Sequence, residues 1–345
     1  MARRISAAIL IPLILILIVL LAGCSKPKVE TQSRVLYSYF DTVTMVSSYA
    51  GDDVVSFEAN CIIVEDILRD YHRMMDIYNE YDGMNNLCTV NLNAGKDPVK
   101  VDPRLIEVLL FSKRLCELTG GKMDITMGSV LSLWHEARAA EPQHLPSEEA
   151  LKKAGKHMGF ELLEIDEKNS TVRITDPEAS IDLGAVGKGF ATEIAAKALE
   201  EKGVTGYVIN AGGNLRCIGT KADGSGWVTG IRKPQDPDNL ALTVTISNTS
   251  CVTSGGYERF LEFGGVRYSH LIDKETLWPA FYHGSVTIIT EDSGLADALA
   301  TAVFCMGYED GLALVESFDN VQCIWIGNDG HILHTKGLDK KIKEL

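Results

Sequence analysis

The spacing of apolar residues changes twice along the chain, and this restricts its possible folds more than any single motif. From 53 to 78 apolar side chains recur at helical spacing (Val55, Ala59, Ile62, Ile63, Ile67, Leu68, Tyr71, Met75), which predicts an amphipathic helix. Residues 103–118 read as a second helix, with Pro103 at its start and Gly120-Gly121 beyond its end. Residues 131–140 continue helical, and Leu145-Pro146-Ser147-Glu148-Glu149 opens a short helix that reaches 158. The pattern then becomes β-type. Residues 162–165 and 171–174 alternate around Lys168-Asn169 as a hairpin. A helix at 187–202 and a strand at 207–210 follow, then β-rich stretches at 215–219, 227–231, 240–247, 250–253 and 259–263. Helical spacing returns at 294–306 and 310–317, and strands at 321–326 and 331–335 end the chain. Helices flanking a mixed, mostly antiparallel set of strands describe an α+β protein. No repeat, Pro-rich linker or charge block divides residues 36–345, so one large catalytic unit is expected.

The start of the chain has a different character. Residues 1–23 hold Arg3, Arg4, an apolar run from 7 to 21, and no acidic residue, and they lead into Cys24. An apolar core of about 15 residues is short for a membrane span of about 20 and fits a secretory signal. Leu21-Ala22-Gly23-Cys24 resembles the bacterial lipobox, whose cysteine is lipidated and becomes the first residue of the mature protein. The expectation is an exported lipoprotein anchored to the membrane through Cys24 by several acyl chains, with residues 24–35 as a polar tether.

Charge and cysteine content exclude other classes. With 33 basic and 47 acidic residues the formal charge is −14, and losing Arg3 and Arg4 takes it to −16. A protein that coats nucleic acid would need clustered Lys and Arg, so no nucleic-acid partner is expected. The seven cysteines beyond Cys24 are scattered without a CxxC pair, which gives neither a disulfide framework nor a zinc site. Cys61, Cys116, Cys251 and Cys305 lie in apolar stretches and read as small buried hydrophobes.

Four segments carry candidate chemistry. In Ser180-Ile181-Asp182-Leu183-Gly184-Ala185-Val186-Gly187-Lys188-Gly189-Phe190-Ala191 a strand ending in a carboxylate runs through a glycine turn into a helix. Glycines allow close backbone approach, and a helix N-terminus offers free N–H groups to a phosphate. The segment is neither GxGxxG nor a P-loop, since Lys188 is followed by Gly189, so it is either a phosphate site or a structural turn. Asn210-Ala211-Gly212-Gly213-Asn214 is, taken alone, a turn. Thr253-Ser254-Gly255-Gly256-Tyr257-Glu258-Arg259, followed by Tyr268-Ser269-His270, brings hydrogen-bonding groups, an arginine and a histidine close in sequence; the histidine is either a base or a structural strand-end residue. Asp297 and Thr301 share one face of an apolar helix, where their oxygens suit Mg²⁺; a dipole-stabilising Asp and a Thr bonded back to the backbone fit equally well.

In order, these segments resemble the ApbE family, exported FAD-dependent FMN transferases that attach FMN covalently to proteins. The resemblance runs from Tyr37 to Ser317. It takes in Phe40-Asp41-Thr42, Tyr81-Asp82-Gly83 with Asn91-Leu92-Asn93, and Met123-Asp124-Ile125-Thr126 leading to Leu133-Trp134. It continues through Asp182-Leu183-Gly184-Ala185, Lys188-Gly189-Phe190-Ala191, Gly212-Gly213-Asn214, Thr253-Ser254-Gly255, His270-Leu271-Ile272-Asp273 and Ala296-Asp297-Ala298. The resemblance implies a T-fold-related α+β unit. It implies Mg²⁺ held by the carbonyl of Ala185 and by Asp297 and Thr301, and FAD as substrate with its diphosphate beside Lys188. Asp182, Gly213, Asn214, Ser254 and Gly255 would neighbour the flavin, and His270 would take the proton of a client Thr or Ser hydroxyl. The implied products are an FMN-protein and AMP, and the implied clients are flavoproteins of membrane or extracellular electron transfer. Mg²⁺-dependent hydrolysis of FAD, or flavin binding without catalysis, are the competing readings. One segment departs from the family: Asp273-Lys274-Glu275-Thr276-Leu277 lacks the Pro and Gly of Asp-Pro-x-Thr-Gly, which predicts a turn of another shape.

Overall fold

The computed structural model describes residues 30–345; residues 1–23, expected to be a signal, Cys24 and residues 25–29 lie outside the described residues. Strand β1 (Gln32–Tyr39) pairs antiparallel with β2 (Thr42–Ser48) through a turn in which Phe40 and Asp41 both take positive φ, 54° and 51°. Residues 32–35, expected within a tether, instead pair in a strand: Gln32 with Ser48 and Val35 with Met45. The free backbone groups along β2 are the physical reason, because an open sheet edge gains hydrogen bonds from a neighbouring extended segment.

Helix α1 (Val54–Met75) is capped by Asp53, whose Oδ1 accepts from Val55 N at 2.9 Å and Ser56 N at 3.0 Å. Its buried stripe is Phe57, Cys61, Val64, Leu68, Tyr71, Met74 and Met75, whereas Val55 and Ile62 face solvent. Helix α2 (Leu87–Leu92), absent from the sequence reading, opens with an Asn86–Thr89 capping box. After β3 (Val99–Lys100), α3 (Pro103–Leu118) is capped by Asp102 with proline in its first turn. Helix α4 (Gly128–Ala139) and the short α5 (Glu148–Ala154), capped by Ser147, follow. The hairpin β4 (Leu163–Asp166) and β5 (Thr171–Ile174) forms where alternation placed it and joins β3 in a three-stranded sheet.

Helix α6 (Gly187–Glu200) leads to β6 (Tyr207–Ala211) and β7 (Asn214–Ile218), then β8 (Trp227–Lys233), β9 (Asp236–Ile246), β10 (Ser250–Gly255), β11 (Phe260–Phe263), β12 (Val266–Ser269) and β13 (Ser285–Thr290). Helices α7 (Ser293–Phe304) and α8 (Tyr308–Glu316) and strands β14 (Gln322–Ile326), β15 (Ile332–His334) and β16 (Ile342–Glu344) complete the described chain. The central sheet runs β1-β2-β6-β7-β10-β13-β14-β15, and all of its described pairings are antiparallel. Alternation divides its two faces. Val252, Val286, Ile288, Cys323 and Trp325 pack beneath Leu299, Val303 and Phe304 of α7, while Cys251, Ile289, Ile324 and Ile326 meet Trp227, Leu242, Val244 and Ile246 of the small sheet β16-β9-β8. Every residue of β13 is buried, so it carries no alternating pattern by which the sequence would mark it. Among the described residues no helix is long and apolar enough to cross a membrane.

Candidate active site

Helices α6 and α7 meet at their N-terminal ends, and each supplies a carboxylate to the other. Val186 gives α6 no side-chain cap. The Gly189 amide instead donates to Asp297 Oδ2 of α7 at 2.8 Å. Lys188 Nζ lies 3.0 and 3.1 Å from the two oxygens of the same carboxylate. In return, Glu193 Oε2 of α6 accepts from Ser293 N at the start of α7 at 2.9 Å and from Arg216 Nε of β7 at 3.1 Å. Both arrangements put negative charge at a helix N-terminus, where free amides and the dipole favour it. The approach requires glycine at 189: a Cβ there would stand 2.4 Å from Ser293 O and 2.5 Å from Asp297 Cβ.

Asp297 and Thr301 do share a face of α7, but Asp297 is turned toward α6 and does not serve its own helix dipole. The Thr301 hydroxyl makes no bond back to the backbone among the described residues. With the main-chain carbonyl of Ala185 just ahead of α6, the donors are one buried carboxylate, one hydroxyl and one carbonyl. An all-oxygen set of this kind fits Mg²⁺, a hard cation that keeps several waters and few protein ligands. Among the described residues no cluster of three or more His, Cys, Asp or Glu side chains offers a competing metal site.

A second group of side chains surrounds His270. Its backbone N and its ring Nδ1 each lie 3.0 Å from Arg259 O. A carbonyl only accepts, so Nδ1 carries the proton and Nε2 keeps its lone pair. Burial pushes the ring's pKa down to about 4, and the positive charges of Arg259, Arg138 and His135 push the same way against the raising effect of the Arg259 carbonyl. The ring is therefore neutral at physiological pH and able to accept a proton at Nε2. Tyr78 Oη lies 3.0 Å from His135 Nδ1, and burial lowers the His135 pKa while Asp182 raises it. Arg259 also donates from Nη2 to Asp41 O at 3.1 Å, fastening the β1–β2 turn to the His270 loop. Arg259 stood out in the sequence, but Tyr78, His135 and Arg138 did not. They come from the segment after α1 and from α4, and no local motif marks them.

A model described as the ApbE family matches residues 40–325 of the chain. The chain belongs to the ApbE family. It is 34% identical to the FAD:protein FMN transferase of Treponema pallidum over 276 residues, 75% of each protein. It is 29% identical to the FAD:protein FMN transferase of Vibrio cholerae over 302 residues, covering 87% of this chain and 88% of that one. A crystal structure of the ApbE protein of Thermotoga maritima superposes with a TM-score of 0.80 at 27% identity, over 89% of this chain and 98% of that chain. The flavin transferase ApbE from Vibrio cholerae gives 0.74 at 25% identity, over 90% of this chain and all of that one.

The remaining residues expected at the site separate in this ApbE chain. Asp182 lies in the loop ahead of α6, its Oδ1 accepting from Gly184 N at 2.7 Å while its charge reaches Tyr78 and His135. Asp182 thus lies between the α6 junction and the His270 group. Gly213 is exposed in the β6–β7 turn at φ 88°, with open space where a side chain would go. Ser254 and Gly255 end β10 and are buried. Asn214 is corrected: it is fully buried, with Oδ1 accepting from Ser293 Oγ at 2.5 Å and Nδ2 without an acceptor among the described residues. It braces the start of α7 and presents no surface to a flavin. Leu277 takes φ 62°, the left-handed conformation that glycine usually supplies, so losing the glycine does not by itself force another backbone shape. Trp134 Nε1 donates to Leu277 O at 3.0 Å and holds this strained residue in place.

Proposed function

We propose that this chain is an FAD:protein FMN transferase, moving FMN from FAD to a Ser or Thr hydroxyl of an acceptor protein and releasing AMP. The names carried by its relatives in Treponema pallidum and Vibrio cholerae support the reaction class. The observation that carries the assignment to this chain is His270, kept neutral by its surroundings and held by the Arg259 carbonyl in the tautomer that leaves Nε2 free. A base of this kind takes the proton of the acceptor hydroxyl as its oxygen forms a bond to the FMN phosphorus. The phosphorus–oxygen bond to AMP breaks in the same displacement, and AMP departs with the negative charge. Lys188, which pairs with Asp297 here, and the α6 N-terminus would lie beside the FAD diphosphate. Mg²⁺ held by Ala185, Asp297 and Thr301 would neutralise charge on the diphosphate. Asp182, Gly213, Ser254 and Gly255 are proposed to border the flavin. The lipobox residues and the absence of acidic residues in 1–23 support export and anchoring at Cys24, which would place the enzyme beside electron-transfer flavoproteins at the membrane.

The test is to incubate the detergent-solubilised protein with FAD, Mg²⁺ and a flavin-free acceptor flavoprotein of electron transfer. Acceptor mass and released AMP are then measured. A mass gain of one FMN unit matched by AMP is expected. AMP without a mass gain would replace transfer by hydrolysis, and intact FAD would reduce the protein to a flavin binder. His270→Ala should abolish the mass gain while FAD still binds.

A further inference from the structure

His270 owes its tautomer to a main-chain atom, and that atom stands at a weakly supported place in the fold. Strands β11 and β12 form a two-stranded ribbon outside the central sheet, and two strands alone are marginally stable. The ladder ends at the pair Phe260 and Ser269, so Arg259 and His270 come directly after it. Buried Leu261 and the packing of Tyr268 on Trp134 and Trp278 hold the middle of the ribbon. At its end, the Arg259 carbonyl takes both the backbone N–H and the Nδ1–H of His270 at 3.0 Å. The Arg259 side chain crosses to the central sheet, where Nη2 donates to Asp41 O at 3.1 Å and to Phe40 O at 3.4 Å. Those two carbonyls belong to a strained turn. Phe40 and Asp41 join β1 to β2 as a two-residue loop with φ 54° and 51°, a conformation that Asn-Gly normally supplies. His72 of α1 secures the turn as well, its Nδ1 accepting from Phe40 N at 3.3 Å and its ring meeting the Phe40 ring edge-on. Strain of this kind persists only where surrounding contacts fix it, and it collects at functional sites.

We infer that Arg259 is a positioning residue for His270: its guanidinium, anchored on the Phe40–Asp41 turn, fixes its own carbonyl and thereby decides which ring nitrogen of His270 carries the proton. Arg259 touches no reacting atom in this role, which rests on the reading of His270 as the base of FMN transfer. Arginine suits the task because its charged, planar donor holds acceptors in a fixed geometry. Once the guanidinium lets go, the end of the ribbon frays and the Arg259 carbonyl no longer holds Nδ1–H. The ring proton then moves to Nε2 in part of the molecules, and those rings have no lone pair at Nε2 for the acceptor hydroxyl.

The test uses the full chain in detergent, labelled with ¹⁵N-histidine, as parent protein, Arg259→Gln, Arg259→Lys and His270→Ala, the last to identify the His270 signals. Ring ¹⁵N shifts at neutral pH report the tautomer without turnover. Melting temperature, FAD affinity, and kcat and KM for FMN transfer are measured on the same proteins. The parent should carry the proton on Nδ1. Arg259→Gln should show a mixture of tautomers and a kcat lower by about tenfold, with FAD affinity unchanged, because only the competent form of the base is depleted. Arg259→Lys should recover part of both. An unchanged tautomer in Arg259→Gln would overturn the role whatever happens to kcat, and so would a fall in kcat matched by an equal fall in FAD affinity. If the parent protein transfers no FMN, the transferase reading fails, and the tautomer populations still decide whether Arg259 sets the ring.

Discussion

Lys188 and Asp297 are 109 positions apart in sequence, and in the fold the Lys188 ammonium sits 3.0 and 3.1 Å from the two oxygens of the Asp297 carboxylate. The same carboxylate ends α6 by taking the Gly189 amide at 2.8 Å. The residue expected beside a diphosphate and the residue expected on a metal are therefore one electrostatic unit, and a change at either alters both.

Lys188→Met should leave the buried Asp297 charge with the Gly189 amide as its main partner. Breaking such a pair costs about 3 kcal/mol when both groups are buried and less here, because Lys188 is partly exposed. Asp297→Asn should cost less than Lys188→Met, since it leaves no buried charge unpaired. If the Ala185–Asp297–Thr301 oxygens take Mg²⁺, the ion should raise the melting temperature of Lys188→Met more than that of the parent protein, and Asp297→Asn should show no Mg²⁺ effect. An equal Mg²⁺ shift in all three proteins would move the metal elsewhere.

Gly189→Ala and Gly213→Ala test two different uses of glycine. At 189 the added Cβ collides with Ser293 O at 2.4 Å, so α6 and α7 must separate, with an expected loss of about 3 kcal/mol. At 213 nothing lies within 4 Å and only the positive φ resists, so about 1 kcal/mol is expected. Urea unfolding of the two variants measures both; equal losses would show that the α6–α7 contact is looser than described.

The pH dependence follows from His270, whose pKa falls from an ordinary 6.5 to about 4. For the free enzyme, kcat/KM should stay level as pH drops from 7 to 5 and decline only toward 4, where an ordinary histidine would already have lost activity near 6.5. Stability follows the same groups. His135, His270 and His283 are all lowered mainly by burial, so below their ordinary pKa the unfolded chain binds protons that the native state does not. Stability is therefore fully present above about 6.5 and is lost as pH falls through the window toward 4. Melting temperatures across that window would show a plateau if these rings were not held neutral.

The seven cysteines of the described residues are all buried and free, and burial raises each thiol's pKa, Cys251 and Cys305 to about 12. Native protein beginning at residue 25 should react with none of a thiol reagent within minutes, and with all seven thiols once unfolded. Reductant should not change its melting temperature. Rapid labelling of the folded protein would contradict the burial described.

Much of the fold could be read from local signals. Ser147 caps its helix where the sequence indicated, and Asp53 and Asp102 stand at the starts of helices that apolar spacing and Pro103 placed, because a cap needs only its own first turn. The hairpin around Lys168-Asn169 formed for the same reason. Strand β13 and the β1–β2 hairpin escaped notice because one is buried on both faces and the other turns on Phe40 and Asp41, which carry no glycine signal. The candidate site divides along the same line. Its motifs, Asp182 through Lys188, His270, and Asp297 with Thr301, stand in the sequence because each is a run of a few residues with a recognisable spacing. Tertiary structure alone decided that Asp297 caps α6 and pairs with Lys188, that Asn214 is buried out of reach, and that Arg138 and His135 stand near His270. Such contacts depend on where distant helices cross, and a side chain's charge or burial there is set by neighbours that the local sequence does not encode.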